Sequence, residues 1–138
     1  MTTIDLNTLE LVEFTGKGDA LQQCRATFPL IGAHGSKQLA SVYFEIAPGD
    51  NLGRHTDSAE ELIIVLQGTL EAEVNGEVRK VEAGSMILIP EMAPHNFRNT
   101  GPGTARVLGV FGKNNIVATF EQEWLPTNSR VVDTSMFG

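Results

Sequence analysis

Two segments, Gly49–Gly68 (GDNLGRHTDSAEELIIVLQG) and Gly84–Asn99 (GSMILIPEMAPHNFRN), constrain the fold of this chain more than any other feature. They carry two of its three histidines, His55 and His95, and set the carboxylates of Asp57 and Glu61 close to the first. Positions 55, 57 and 61 share parity, so in strands their side chains point to one face. A continuous strand from His55 to Glu61 would spread them over roughly 20 Å at about 3.3 Å per residue, whereas a metal ion needs its donors about 2.0–2.2 Å away. The chain therefore has to fold back between them, and the polar stretch Thr56–Glu60 is where it can. His95 follows the turn residues Pro90 and Pro94 and must arrive from a neighbouring strand.

The rest of the chain is punctuated in the same way. Ala40, Val42, Phe44 and Ile46 alternate with Ser41, Tyr43 and Glu45, a half-buried strand ended by Pro48-Gly49. Residues 61–66 are apolar after Glu61 and read as a strand covered on both faces. Asn75-Gly76, between Glu71–Val74 and Glu77–Val81, is a two-residue hairpin signal. Met86–Ile89, His95–Asn99, Ala105–Phe111 and Ile116–Thr119 are further strands. Leu6–Phe14 reads as a strand or short arm, and Gln23–Phe28 as a strand pairing with residues 39–47 across the loop at 31–37. The tail Phe120–Pro126 carries the only tryptophan, Trp124, and is expected to pack on the barrel or on a second subunit. Short strands with turn signals every 8–12 residues or so indicate an all-β sandwich or barrel, and no long helical periodicity competes.

With 138 residues and no repeat or linker, residues 1–138 read as one domain, able to bury about two thirds of its unfolded surface. Apolar content of 41% and charged content of 20% sit near globular values, which argues against disorder. A net charge of −7 without any Lys/Arg cluster opposes binding to nucleic acid or to an anionic membrane. Cys24 stands alone, so no internal disulfide or CxxC site exists; it reads as a small buried residue, and a reducing, cytoplasmic setting is the simplest. The N-terminus lacks a basic region followed by an apolar core, and no apolar run approaches the ~20 residues of a membrane span. With no phosphate loop, serine elbow or nucleotide fingerprint, hydride transfer and kinase-like chemistry are poor expectations.

The two segments resemble the paired motifs of the cupin superfamily, G-x5-H-x-H-x3-E-x6-G and G-x5-P-x-G-x2-H-x3-N. Gly49, His55, Glu61 and Gly68 fall in register with the first, and Asp57 occupies its second histidine position. Gly84, Pro90, His95 and Asn99 match the second, with Met92 where a glycine is usual. The resemblance covers roughly residues 37–112; it says little of the arm and strands in 1–36 or of the strand and tail in 113–138. It implies a jelly-roll β-barrel, the double-stranded β-helix, with His55, Asp57, Glu61 and His95 facing the lumen. It also implies a divalent transition metal (Fe, Mn, Ni or Zn), a small-molecule substrate or ligand, and a homodimer.

Two histidines and one carboxylate compose the facial set that leaves positions open in non-haem iron chemistry. Asp57 either coordinates as a fourth ligand or orients one. With a divalent ion, two imidazoles and two carboxylates make a formally neutral site, one unit less positive than three imidazoles and one carboxylate. That favours harder ions such as Mn(II) or Fe(II), although Zn(II) and Ni(II) stay open because affinity alone follows the Irving–Williams order. Parity sets Ile63, Val65 and Gln67 on the Glu61 face and Phe97 and Asn99 on the His95 face, a mostly apolar pocket. Phe97 reads as core, Asn99 as a turn-binding side chain, Arg54 and His34 as solvated, and Tyr43 as directed away from the lumen. The leading functional expectation is a metal-dependent, dioxygenase-like enzyme whose substrate, a diol or keto acid, chelates the metal, with Asp57 and Glu61 as catalytic carboxylates. The alternatives are a non-enzymatic metabolite- or sugar-binding module and a metal-dependent isomerase, lyase or cyclase; fold alone does not choose among them.

Overall fold

In the computed structural model, which describes residues 1–137, the alternating apolar segments become strands. They are β1 (Val12–Gly16), β2 (Gln23–Thr27), β3 (Ala40–Ile46), β4 (His55–Asp57), β5 (Glu61–Gln67), β6 (Thr69–Val74), β7 (Glu77–Glu82), β8 (Met86–Ile89), β9 (His95–Asn99), β10 (Ala105–Phe111), β11 (Val117–Leu125) and β12 (Ser129–Asp133). Short 3-10 turns span Gly32–His34 and Thr134–Met136. The strands form one curled sheet in the order β7-β6-β9-β4-β11-β1-β2-β3-β10-β5-β8, with β12 paired to β11. This is the jelly-roll β-barrel expected of the motifs.

Local chemistry explains the turns. Asn75 and Gly76 have φ of 51° and 81°, the left-handed pair that a tight hairpin matching the strand twist requires. Met92, at the motif's usual glycine, also sits in the left-handed region at φ 63°, a conformation that costs an L residue roughly 1–2 kcal/mol. Its N–H donates to the Asp57 carbonyl at 2.9 Å, so the strained turn is tied directly to β4. The fold-back demanded between His55 and Glu61 falls at Ser58-Ala59-Glu60. There Ser58 exchanges two hydrogen bonds with Val117, through its N–H (3.0 Å) and its Oγ (2.8 Å). Lys113 Nζ adds a third to the Ser58 carbonyl at 2.7 Å.

Strand alternation sends Ile63, Val65, Val107, Phe44, Ile46, Leu70 and Phe97 into the barrel, where they form one continuous core. Residues 61–66 differ from the expectation of two covered faces. Glu61, Ile63 and Val65 are buried, while Leu62, Ile64 and Leu66 on the outer face are only half-covered, because no second sheet lies over them. The C-terminal part also differs: β11 runs past Thr119 to Leu125 and returns through Asn128 (φ 56°) as the unforeseen β12. The polar Glu121-Gln122-Glu123 hides the continuing alternation of Ala118, Phe120 and Trp124, all buried. Trp124 therefore packs inside the barrel, edge-on to Phe14 (5.9 Å) and Phe120 (5.2 Å).

Asn99 behaves as a turn-binding side chain. Fully buried, it donates from Nδ2 to the carbonyls of Ile46 and Gly103, both at 2.8 Å, and accepts from the Gly101 N–H at 2.9 Å. Asn99→Ala strands those three groups at the barrel end. We expect a loss of about 2–4 kcal/mol, from the lost bonds and the desolvated partners, seen as a lower urea midpoint at unchanged m-value.

Candidate metal centre

Register assembles the centre. Phe120 of β11 lies opposite His55 of β4, and His55 lies opposite His95 of β9, so the row runs across three adjacent strands. The imidazoles approach to 4.1 Å between centroids, and Phe120 stacks on His55 at 4.4 Å and 16°. Each ring is fixed from behind: Nδ1–H of His55 donates to the Gly53 carbonyl and Nδ1–H of His95 to the Ala93 carbonyl, both at 2.8 Å. A carbonyl can only accept, so Nδ1 carries the proton and, in a neutral ring, Nε2 presents its lone pair.

Both Nε2 atoms face one carboxylate oxygen. Asp57 Oδ2 lies 3.6 Å from His55 Nε2 and 3.2 Å from His95 Nε2, and all three side chains are buried. Donor atoms of His55, Asp57 and His95 lie within 4.8 Å of one another. Asp57 Oδ2 and His95 Nε2 are buried without a hydrogen-bond partner. Two lone pairs turned on a carboxylate in a desolvated space repel, so a proton or a cation has to lie among them. The donors suit a divalent transition ion, and all of them come from rigid strands.

Glu61 stands beside this trio. It begins β5, on the other half of the curled sheet, and its carboxylate comes within 3.5 Å of His95 Nε2. Gly109, paired with Ile63 across β10 and β5, makes room for it: a Cβ there would collide with Glu61 Oε2 and lie 2.9 Å from Val42 Cγ1. Sequence reasoning missed this role of Gly109. Of the four residues singled out in the sequence, the structure brings three into mutual reach and sets Glu61 against His95 alone among the histidines.

Electrostatics follow from burial and these contacts. Burial lowers the His55 pKa to about 4, against the pull of Asp57 and with help from His95. Burial acts in the same direction on His95, but the carboxylates of Asp57 and Glu61 outweigh it and raise the imidazolium to about 10. Burial raises Glu61 to about 7, with His95 opposing.

The cluster opens on a chamber whose walls are apolar. Phe14, Phe44, Phe97, Phe111, Phe120 and Trp124 line it with Cys24, Val42, Leu52, Ile116 and Ala118, and no lysine or arginine does. Phe97, expected as core, is buried and also forms part of this wall, edge-on to His95 at 5.9 Å. Gln67 departs from the parity expectation: it is exposed at the end of β5, donating to the Thr104 carbonyl at 3.1 Å. Burial pushes the Cys24 thiol up to about 12, an inert wall residue. Arg54 lies outside, paired with Glu73 (3.2 Å) and Glu121 (3.4 Å). Tyr43 also points away from the lumen: its hydroxyl donates to Glu45 at 2.7 Å and accepts from Arg106 Nε at 2.6 Å. His34 is exposed in its turn, accepting from the Ile31 N–H. The chamber walls from β1, β2 and β11 carried no motif; the shared parity of Ala118, Phe120 and Trp124 was the one available signal.

Comparison with known proteins bears on the family and the fold. The family model described as "Cupin domain" matches residues 42–111, half of the chain. The polyketide synthase CurC of Streptomyces cyaneus is 34% identical over 62 residues, 44% of this chain and 40% of that protein. The HTH-type transcriptional regulator PuuR of Escherichia coli (strain K12) is 27% identical over 106 residues, 76% of this chain and 54% of that protein. The chain thus spans about half or less of the curated relatives it matches. The solved polyketide cyclase RemF from Streptomyces resistomycificus shares the fold, with a TM-score of 0.65 at 23% identity over 80% of this chain and 78% of that one. No helix among the described residues is long and apolar enough to cross a membrane. With both motif segments inside the matched region and the barrel they imply, the chain belongs to the cupin superfamily.

Proposed function

We propose that this protein is a metal-dependent enzyme that binds an apolar, oxygen-bearing small molecule in the barrel and catalyses a proton transfer on it, as in ring closure or isomerisation. The observation that carries this reading is the convergence of His55, Asp57 and His95 donors, two of the facing atoms unpartnered, on an aromatic chamber without cationic residues. A divalent ion held by those three residues would polarise a carbonyl or enol oxygen of the substrate. Glu61, with its proton affinity near neutrality, is placed to take a proton from the adjacent carbon and return it. Phe120 holds the His55 ring, and the aromatic walls exclude water. The polyketide-processing names of CurC and RemF support a substrate of this kind.

A second reading is the dioxygenase expected from the sequence, favoured by the presence of two histidines with a carboxylate. Benzoylacetone separates the two, since it is aromatic, chelating and acidic at carbon. Under nitrogen in D2O, the metal-loaded protein should exchange its α-hydrogen, with Glu61→Gln slower by about 10²-fold or more and still metal-bound. Stoichiometric O2 uptake would establish the dioxygenase instead. Saturable binding without either reaction would leave a ligand-binding module.

Metal binding is itself testable. One divalent transition ion per chain is expected, lost in His95→Ala. Because His95 holds a proton up to about pH 10 when no metal competes, affinity should rise about tenfold per pH unit between roughly pH 6 and 9. The same raised pKa sets a stability slope. Relative to its ordinary value of 6.5, the His95 contribution is complete below pH 6.5 and lost as pH rises through about 10. The melting temperature of metal-free protein should fall over that interval, and metal should flatten the fall; a pH-independent affinity would remove His95 from the ligand set.

For assembly we propose a homodimer through the outer face of β8, β5 and β10. Register aligns Met86, Ile64 and Leu108 in one row and Leu88, Leu62 and Val110 in the next. Met86 and Leu88 are 68% and 61% exposed, an apolar patch of the kind that marks interfaces. Light scattering should report a dimer that Leu88→Lys converts to monomer; a monomeric parent would end this idea.

A further inference from the structure

The chamber beside the metal centre measures only about 70 Å³, against the ~300–1,000 Å³ usual for small-molecule sites. A second cavity of about 620 Å³ adjoins it, and Phe14, Ala26, Phe28 and Val132 line both. The outer cavity is walled by β1, by β12 and by the Thr134–Met136 turn. Val131, Met136 and Phe137 there are 46%, 80% and 43% exposed, apolar surface that a solute would cover. Phe28 stands at the join, its ring 5.5 Å from that of Phe137 on the outer side while it also faces the inner chamber. Neither cavity is lined by lysine or arginine; among outer lining residues only Asp133 and His34 are ionisable.

We propose that the two cavities are one bipartite ligand site. The inner chamber takes a compact oxygen-bearing head, and the outer cavity takes an uncharged apolar body. Phe28 and Val132 form the partition that sets which body can follow the head inward. The ligand class is therefore an elongated neutral molecule with one polar end, and not a phosphorylated or otherwise anionic carrier conjugate, for which the outer cavity offers no lysine or arginine. The inference deepens the reading above and depends on it only for what the head contacts.

Two probe series test it: n-alkanols from butanol to decanol, and alkyl hydroxamates of the same lengths, which add a chelating head. Trp124, the only tryptophan, lines the inner chamber, so its fluorescence reports entry. Affinity for alkanols should rise about fourfold per methylene, the increment for burying each CH2, with or without metal. Phe28→Trp, read by titration calorimetry because it adds a second tryptophan, should flatten the rise with length. Val131→Asp, a change at an exposed position that does not threaten folding, should weaken the longest probes by tenfold or more and leave the shortest unchanged. Affinity independent of chain length in the parent, or a length dependence untouched by both variants, would overturn the bipartite site. Hydroxamates that bind metal-loaded protein no tighter than alkanols of equal length would sink the metal reading while the length dependence still upheld the two-cavity site.

Discussion

Everything in the centre depends on one desolvated contact, the carboxylate oxygen of Asp57 set between two imidazole nitrogens at 3.6 and 3.2 Å. Left uncompensated, such a cluster is costly, since buried acceptors without donors forfeit hydration and gain nothing. The barrel holds it because the groups are not free to turn away. Backbone carbonyls lock each ring through Nδ1, and strand pairing puts His55 opposite His95. Phe120 closes off the face of one imidazole. A proton on His95 relieves the repulsion when nothing else does, which is the physical content of its raised pKa. The same exchange of proton for cation makes the proposed metal affinity depend on pH.

The curl of the sheet matters as much as the ligands. Glu61 and His95 lie on strands near opposite ends of the hydrogen-bonded order, yet their side chains meet at 3.5 Å because the sheet curls over on itself. The curl brings the inner faces of β3, β5 and β10 against those of β4, β9 and β11, and the available volume decides what can project between them. Gly109 is the clearest case: with a side chain there, the Glu61 carboxylate could not occupy its place. One small residue on a strand with no polar function thus determines where the neighbouring acid stands.

The four polar residues were legible in sequence because parity, a forced reversal and a second motif all constrain them locally. The strands from 40 to 111 were legible for the same reason, down to the Asn75-Gly76 hairpin. What sequence left open was non-local. Nothing in His55-Thr56-Asp57 says whether Asp57 or Glu61 lies nearer both imidazoles; the answer follows from Glu61 entering from the other half of the sheet. The walls contributed by Phe14, Cys24 and Trp124 depend on pairings of β1 with β2 and β11, between segments more than a hundred residues apart in the case of β1 and β11. Gln67 shows the limit of parity: it keeps the phase of Glu61, but the strand reaches the barrel end before it and the side chain emerges into solvent.

The substitution of aspartate at the second histidine position gains meaning from the chamber. Three imidazoles and one carboxylate with a divalent ion would leave one positive charge facing a space lined by phenyl rings and without other countercharge. That charge would attract an anionic substrate. With Asp57, two imidazoles, two carboxylates and a divalent ion sum to zero, and no lysine or arginine lines the wall to supply attraction in its place. A substrate arriving as an anion would add an uncompensated charge to a low-dielectric cavity, which is strongly unfavourable. One arriving neutral, and ionising only as Glu61 takes its proton, holds the total charge of substrate, ion and side chains constant through the step. In the proposed reaction, the carboxylate at position 57 and the apolar walls would thus act as two halves of one selection, for neutral molecules whose acidity is expressed only inside the barrel.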